Sequence, residues 1–190
     1  MAAMRIVGGA LGGRTLHAPE GLRVRPTSDK ARQAIFNILA HGECAIDLEG
    51  AHAIDLFAGT GALGLEAISR GAAYALFVDD SAESRALIRR NVEAFGLTGA
   101  TRIWRRDATA LGPMAAGAGG LFQLAFLDPP YRKGLVPAAL ASLRGGGWLA
   151  PGAIAVAEMG ADEDVPSTDG FAVMDSRLYG ETRVVFLRAG

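Results

Sequence analysis

The sequence is poor in the residues that build disulfide frameworks and metal sites. It has one cysteine, Cys44, which excludes an intramolecular disulfide and fits a reducing compartment. Its three histidines, His17, His41 and His52, stand at no spacing typical of metal ligands, so we expect no metal. Lys and Arg number 19 against 20 for Asp and Glu. This near balance excludes a highly basic coat protein but leaves room for a local basic patch.

Charge is also missing from residues 108–127, a run long enough to suggest a membrane span. Pro113 and four glycines interrupt this run, and a helix broken so often would leave backbone groups unpaired in lipid. We therefore predict a short helix, a glycine-rich loop and a buried strand there. The first residues lack the apolar core of a signal peptide, so we expect a cytoplasmic protein without membrane contact.

The charges that are present divide the chain into two parts. Residues 1–40 carry six basic and two acidic residues, whereas the other 150 carry 13 basic and 18 acidic ones. Glycines separate the runs 5–7 and 14–16, a pattern that predicts a loose hairpin. A helix is predicted to start at 26–29, with an apolar face behind it and a solvent-facing side. The polar side of this helix carries Lys30, Arg32 and Gln33.

From residue 52 onward, strands and helices alternate. Strands are predicted at 53–57, 75–78, 101–104, 124–127 and 154–157, helices at 62–70, 81–96 and 137–144, and a closing hairpin from 171–174 and 183–187. This order predicts an α/β, Rossmann-like fold: a mostly parallel seven-stranded sheet with helices on both faces and a C-terminal antiparallel hairpin. We take residues 1–190 as one domain, in which 1–41 form a basic N-terminal arm and 52–190 the core. Ligands of such sheets bind beyond the carboxyl ends of the strands.

A glycine motif follows the first of these strands. Gly59, Gly61 and Gly64 match G-x-G-x-x-G between a strand and a helix, and Asp79 follows at the distance of a ribose-binding carboxylate. This suits an adenosine-type cofactor without choosing among NAD, FAD and S-adenosylmethionine. Asp55 beside the turn favours S-adenosylmethionine, whose ammonium and sulfonium groups a carboxylate attracts. The alternative is that Asp55 only caps the turn.

A second motif, Asp128-Pro129-Pro130-Tyr131, follows the fourth core strand. The prolines cannot continue a strand ladder and predict a rigid extended loop. Asp128 and the Pro129 carbonyl are then two acceptors for one amino group, and Tyr131 offers a ring on which a base can stack. The alternative is a structural turn with a surface tyrosine.

Together these motifs resemble a known family. The Asp128 motif is similar to the signature of S-adenosylmethionine-dependent methyltransferases that modify exocyclic amino groups. With segments 5–9, 25–39, 55–67 and 179–182, nearly the whole chain resembles the bacterial RsmD-like family, which methylates guanine N2 in small-subunit (16S) ribosomal RNA. Two positions differ from the family pattern: Leu11-Gly12-Gly13 lacks an arginine, and Gln33 replaces a glutamate.

The resemblance implies a class I S-adenosylmethionine-dependent methyltransferase fold and a ribosomal RNA guanine-N2 methyltransferase that uses no metal. The product would be S-adenosylhomocysteine, and the partner ribosomal RNA or the assembling small subunit, bound by a monomer. The implied catalytic residues are Asp128, Pro129, Pro130 and Tyr131. The implied cofactor residues are Asp55, Phe57, Gly59, Gly61, Asp79, Asp107 and Ala108. The implied RNA-binding residues are Arg5, Arg14, Arg23, Arg25, Lys30 and Arg32. We further expect that removing residues 1–24 spares cofactor binding.

Other functions compete with this one. A nucleotide-dependent oxidoreductase shares the glycine turn but needs no Asp-Pro-Pro-Tyr motif, and cofactor binding separates the two. A non-catalytic ribosome-assembly factor would bind RNA without transferring a methyl group. The nearest enzymatic alternative is an adenine-N6 methyltransferase acting on DNA or RNA.

Overall fold

Seven strands form one sheet in the computed structural model, which describes residues 4–19 and 26–190. The strands are β1 His52–Leu56, β2 Tyr74–Val78, β3 Thr101–Trp104, β4 Phe122–Leu127, β5 Leu149–Gly160, β6 Phe171–Tyr179 and β7 Thr182–Ala189. The helices are α1 Pro26–Ala40, α2 Ala62–Ser69, α3 Ala82–Ala94 and α4 Leu135–Gly145. The sheet order is β3-β2-β1-β4-β5-β7-β6, with β7 antiparallel to both of its neighbours.

The central strands are apolar because both of their faces are covered. In β1 and β4, the last four residues of each strand are buried, and the two strands pair in parallel from Ala53 with Leu124 to Leu56 with Leu127. The chain leaves β1 toward β2 on one side, whereas β4 extends the sheet on the other. This reversal opens a crevice at the carboxyl ends of β1 and β4.

The helices divide between the two faces. Buried α1 residues such as Ile35 and Phe36 pack with Phe126 of β4, and Leu65 of α2 and Ile88 of α3 pack on the same face farther along the sheet. Helix α4 covers the opposite face with four buried residues, Val136, Ala139, Leu140 and Leu143. Helices α1 and α2 flank the crevice from one face, and Ala31 and Arg32 of α1 and Ala62 and Leu63 of α2 line it.

The N-terminal segment packs tightly on the core as a small hairpin. An antiparallel bridge joins Arg5 to Thr15, and Ile6 and Leu16 are buried among residues of α2 and α3. Fully buried Glu66 of α2 accepts hydrogen bonds from Val7 N and Gly8 N, each 2.8 Å long. The predicted hairpin is confirmed, but it is part of the core.

Asn91 ties the hairpin to the glycine turn. Its side chain accepts a hydrogen bond from His17 N and donates to the carbonyl oxygens of His17 and Thr60. The Thr60 hydroxyl also lies 3.6 Å from Met4 Sδ. The hairpin, α3 and the turn after β1 therefore form one connected unit.

Most of the predicted elements are found within a few residues of their expected bounds. In the segment 108–121, however, the expected short helix is only a single 3₁₀ turn at Ala116–Ala118. Two glycines with positive φ, Gly119 and Gly120, end that turn before a longer helix can form. Among the described residues, no helix is long and apolar enough to cross a membrane.

Candidate active site

Two adjoining cavities open at the carboxyl ends of the strands. The first, of about 650 Å³, is lined among others by Asp55, Tyr131 and Glu158. The second, of about 560 Å³, is lined among others by Asp79 and Asp107. Four residues line both cavities: Phe57, Asp128, Pro129 and Pro130. Asp128 therefore stands at the junction of the two spaces.

The glycine turn after β1 has the conformation that its residues predict. Gly59 and Gly61 have φ angles of 56° and 77°, in the left-handed region that favours glycine. A Cβ on Gly64 would lie 2.5 Å from the Phe77 ring, so this third glycine allows close packing of α2 on the sheet. A Cβ on Gly61 would meet Phe77 and Ile88, so this glycine also packs closely on the core, and a ligand at its backbone stays a prediction. Gly59 instead lines the first cavity.

Asp79 connects the ends of β1 and β2. Its carboxylate accepts hydrogen bonds from Gly59 N and Ser81 N, each 2.9 Å long, and it lines the second cavity. Asp107 and Ala108 line the same cavity farther along. Hydrogen bonds from the hydroxyl and the backbone N–H of Thr109 lower the pKa of the Asp107 carboxyl, which keeps it ionised at neutral pH.

Asp55 is the most buried acid of the site, at 1% exposure. Burial raises its pKa well above the ordinary range, and the charges of Asp128 and Asp79 raise it further. One opposing effect is a hydrogen bond of 2.9 Å from Gly64 N to the Asp55 carboxylate. Asp55 therefore caps the first turn of α2 and lines the first cavity as well, so the two roles considered from the sequence are compatible.

The Asp128 loop leaves β4 as the two prolines dictate. The N–H of Asp128 makes a long hydrogen bond of 3.5 Å to Leu56 O, which is the last contact of this segment with β1. Pro129 is buried, whereas Asp128 and Pro130 are exposed toward the cavities. The Tyr131 hydroxyl lies 2.9 Å from Thr182 Oγ1 at the start of β7, so the ring is held at its outer end.

Glu158 was missed from the sequence although it lines the first cavity. It follows the predicted strand 154–157 directly, the same position that singled out Asp128 after β4. Leu127 pairs with Ala157, so Asp128, just after β4, and Glu158, within β5, are neighbours at the carboxyl end of the sheet. Burial and the nearby Asp128 carboxylate raise the Glu158 pKa well above its ordinary range, and the positive charge of Arg32 opposes the shift.

Arg32 is not on the solvent-facing side of α1, where the helical pattern predicted it. Only 4% of its surface is exposed, and it lines the first cavity. Its Nη2 donates to Arg5 O at 2.7 Å and to Asp29 Oδ1 at 2.5 Å. The hairpin carbonyl and Asp29 thus hold the guanidinium inward, which a helix-face argument based on α1 alone does not anticipate.

The other residues predicted to contact RNA have different surroundings. Arg5 and Lys30 are exposed. Arg14 is also exposed, but it donates to Ala94 O and its guanidinium lies 4.6 Å from the centre of the Phe95 ring. Arg23 and Arg25 lie outside the described residues. Two exposed basic residues that the sequence analysis did not select, Arg132 and Lys133, directly follow the Asp128 loop.

Comparison with known proteins confirms the resemblance. Residues 4–188 match the model of the family described as "Conserved hypothetical protein 95". The chain belongs to this family. It is 34% identical to YlbH of Bacillus subtilis over 186 residues, which cover 97% of this chain and 98% of YlbH. It is 37% identical over 165 residues to ribosomal RNA small subunit methyltransferase D of Escherichia coli K12, which covers 86% of this chain and 78% of that protein.

A solved structure shares the fold. The structure of yhhF from Escherichia coli superposes with a TM-score of 0.82 at 30% identity, covering 98% of this chain and 97% of that one. The family and the sheet order confirm the predicted class I S-adenosylmethionine-dependent methyltransferase fold, and with it S-adenosylmethionine as the cofactor. Within residues 4–19 and 26–190, no group of three or more His, Cys, Asp or Glu side chains is arranged to hold a metal ion.

Proposed function

We propose that this protein transfers a methyl group from S-adenosylmethionine to the exocyclic N2 amine of a specific guanine in small-subunit ribosomal RNA. The relative of 37% identity is named for methylation of the same RNA subunit. The observation that carries the proposal is the position of Asp128 between two cavities, each bordered by a different set of acidic residues. One space suits a cofactor, and the other suits a base that has left its stack.

The second cavity has the side chains that a bound adenosine needs. Asp79 at the end of β2 is placed to accept hydrogen bonds from ribose hydroxyls, and Asp107 and Ala108 border the space for the adenine. Gly59 and Asp55 lie toward the first cavity, where an ammonium group would meet a carboxylate. The cofactor supplies a methyl group on a positively charged sulfur. The residues present therefore fit it.

Asp128 carries the chemistry of the amine. The lone pair of a guanine N2 amine is conjugated with the ring, so the nitrogen is a poor nucleophile. Hydrogen bonds from its two hydrogens to the Asp128 carboxylate and the Pro129 carbonyl favour a tetrahedral nitrogen and align its lone pair. The methylated nitrogen would be acidic, and the Asp128 carboxylate that binds one of its hydrogens would accept the released proton. The chain needs no strong base before the attack.

Tyr131 provides a stacking surface for the target base. Its ring is half-buried at the wall of the first cavity, and the Thr182 hydroxyl holds its outer end. Stacking on this ring offsets part of the cost of taking the base out of the RNA. The exposed cations Arg5, Lys30 and Lys133 are available for phosphates, whereas exposed Arg132 is ion-paired with Asp162.

The test is methyl transfer to small ribosomal subunits or their RNA from a strain lacking the gene. We expect mass spectrometry to find N2-methylguanine at one site, formed by the wild-type protein and not by Asp128→Ala. Tyr131→Phe keeps the ring and should stay active, whereas Tyr131→Ala should lose the base contact. If the product in the same assay is N6-methyladenine, the protein is an adenine-N6 methyltransferase and the proposal of guanine-N2 methylation is wrong.

A further inference from the structure

The first cavity contains two charged side chains to which the transfer itself assigns no role. Glu158 extends from β5 and Arg32 from the first part of α1, and both line this cavity. They interact electrostatically, because the charge of Arg32 lowers the pKa of the Glu158 carboxyl. A half-buried acid and a buried guanidinium thus face the same cavity, where a polar group left without a partner is costly.

Strand alternation places these groups on one face of the sheet. Phe126 and Val156 pack against α1, and side chains two residues farther along a strand point the same way. Asp128 and Glu158 occupy those positions on neighbouring strands. The Asp128 charge is the largest charged influence on the Glu158 pKa, followed by that of Arg32. Glu158 is thus flanked by Asp128 and Arg32.

Arg32 is fixed and has unused donor capacity. Its Nη2 is engaged by Arg5 O and Asp29, whereas its buried Nε has no hydrogen-bond partner. A guanidinium carries five N–H donors and always keeps its charge. Since the fixed side chain also forms part of the cavity wall, an acceptor on a ligand would find a preorganised donor there.

The polar groups at this wall match the Watson–Crick edge of guanine. Asp128 and Glu158 are acceptors, and Arg32 is a donor. Guanine presents its N2 amine and its N1–H, both donors, and then the acceptor O6. Adenine presents an N1 acceptor and an N6 donor. Its N1 would place an acceptor against the acceptor Glu158, and its N6 amine would place a donor against the donor Arg32.

We propose that Glu158 and Arg32 select guanine: Glu158 accepts a hydrogen bond from N1–H, and Arg32 donates one to O6 while Asp128 holds the N2 amine. This inference rests on the proposed function, because it concerns the base bound in that reaction. Asp128 then acts on the transferring nitrogen, whereas Glu158 and Arg32 read the rest of the edge. A polar site of this kind rejects bases with the wrong edge more strongly than an apolar pocket can.

The experiment compares two RNA hairpins that contain the position found methylated by mass spectrometry. One hairpin has guanine at that position and the other has 2-aminopurine. 2-Aminopurine keeps the amine but lacks N1–H and O6. In single-turnover methyl transfer with saturating S-adenosylmethionine, the wild type should prefer guanine by about 100-fold or more. Glu158→Leu should narrow the preference for guanine by about 10-fold or more, since it removes the hydrogen-bond acceptor for N1–H.

Further variants separate base reading from folding and cofactor binding. Glu158→Gln keeps an acceptor oxygen and should restore part of the preference. Arg32→Lys should narrow the preference too, but Arg32 also holds the hairpin, so the Glu158 variants decide. Glu93→Gln, an exposed acid on α3, is the matched control and should behave as wild type. Thermal unfolding and S-adenosylhomocysteine affinity are measured for every variant.

The outcomes distinguish this inference from the proposed function. If the wild type transfers no methyl group to guanine, either in this RNA or in small subunits from the strain lacking the gene, both are overturned. If the wild type methylates guanine and Glu158→Leu keeps its preference over 2-aminopurine, only the selection by Glu158 and Arg32 is overturned. A change confined to the KM for S-adenosylmethionine would assign the pair to the cofactor and would also overturn it.

Discussion

Glu66 gives a direct test of whether the N-terminal hairpin belongs to the core. Its carboxylate is fully buried and accepts three hydrogen bonds of 2.8 Å, from Val7 N, Gly8 N and Arg70 Nε. Glu66→Ala leaves two backbone N–H groups of the hairpin without an acceptor, at about 1–3 kcal/mol each. We therefore expect a loss of about 2–6 kcal/mol in the free energy of unfolding, which is large against a typical total of about 5–15 kcal/mol.

The assay is urea unfolding followed by circular dichroism, with a cofactor titration on the same samples. Glu66→Gln keeps one acceptor oxygen and should lose less stability than Glu66→Ala. Glu93→Ala, at an exposed position of α3, should change stability by no more than about 0.5 kcal/mol. If Glu66→Ala is as stable as Glu93→Ala, the hairpin contributes nothing to the core and this reasoning fails.

Because the hairpin packs on the core, we no longer expect a chain without residues 1–24 to bind the cofactor as the full chain does. The deletion would expose the surfaces that Ile6 and Leu16 cover, each worth about 1.5–3 kcal/mol of apolar burial. It would also remove His17, which ties Asn91 to the hairpin beside Thr60 of the glycine turn. We expect the truncated chain to unfold at lower urea concentration and to bind S-adenosylmethionine more weakly. Point changes at exposed Arg5 and Lys30 are the better probes of RNA contact.

Three further predictions concern the site. Asp79→Ala should weaken S-adenosylmethionine binding by about 1.5–3 kcal/mol, measured by calorimetry, and an unchanged affinity would refute the ribose role. Asp128→Ala should slow single-turnover methyl transfer by about 10²–10³ with cofactor affinity within a few fold; near-normal turnover would reduce the loop to a structural turn. Asp55→Asn should raise the melting temperature of the cofactor-free protein at pH 8 but not at pH 4, by about 2–4 °C for each kcal/mol gained.

The sign of the Asp55 effect follows from its raised pKa. Between the ordinary carboxyl pKa and the raised value in the folded state, the folded protein binds more protons than the unfolded chain. Stability is therefore lost as pH rises through this window, and Asn removes the loss while keeping an acceptor for Gly64 N. A melting curve for Asp55→Asn that follows the wild type at every pH would show that the Asp55 carboxyl is not perturbed in solution.

More of the fold than of the candidate site could be predicted from the sequence. Strand and helix periodicity, with capping residues such as Ser81, located the core elements because each pattern reflects a buried face that is local in the chain. The same logic found Asp55, Asp79 and Asp128 at the ends of strands. It did not find Glu158, which lies within β5, because no recognised motif follows the fifth predicted strand, 154–157. Whether each of these acids binds cofactor or base stays a prediction.

The burial of Arg32 could not be predicted from the pattern of α1 alone. The helical periodicity of α1 places it beside Lys30 and Gln33, on the polar face. Its actual direction depends on Arg5 O, 27 residues earlier in the chain, and on the cavity formed by strands that come later. Burial of a charged group depends on partners distant in the chain. The periodicity of α1 alone therefore placed Arg32 wrongly in solvent.

The hydrogen bond between Tyr131 and Thr182 can form only late in synthesis, because Thr182 begins the last strand of the chain. Strand β7 emerges after every other strand described here, yet it lies inside the sheet, between β5 and β6. Until β7 is made, β6 has no neighbour to join, and Tyr131 has no Thr182 to hold its ring. The glycine turn and the end of β4 consist of residues that precede residue 182 in the chain. The wall of the first cavity at Tyr131 is therefore completed only after the strands that border the second cavity have been made.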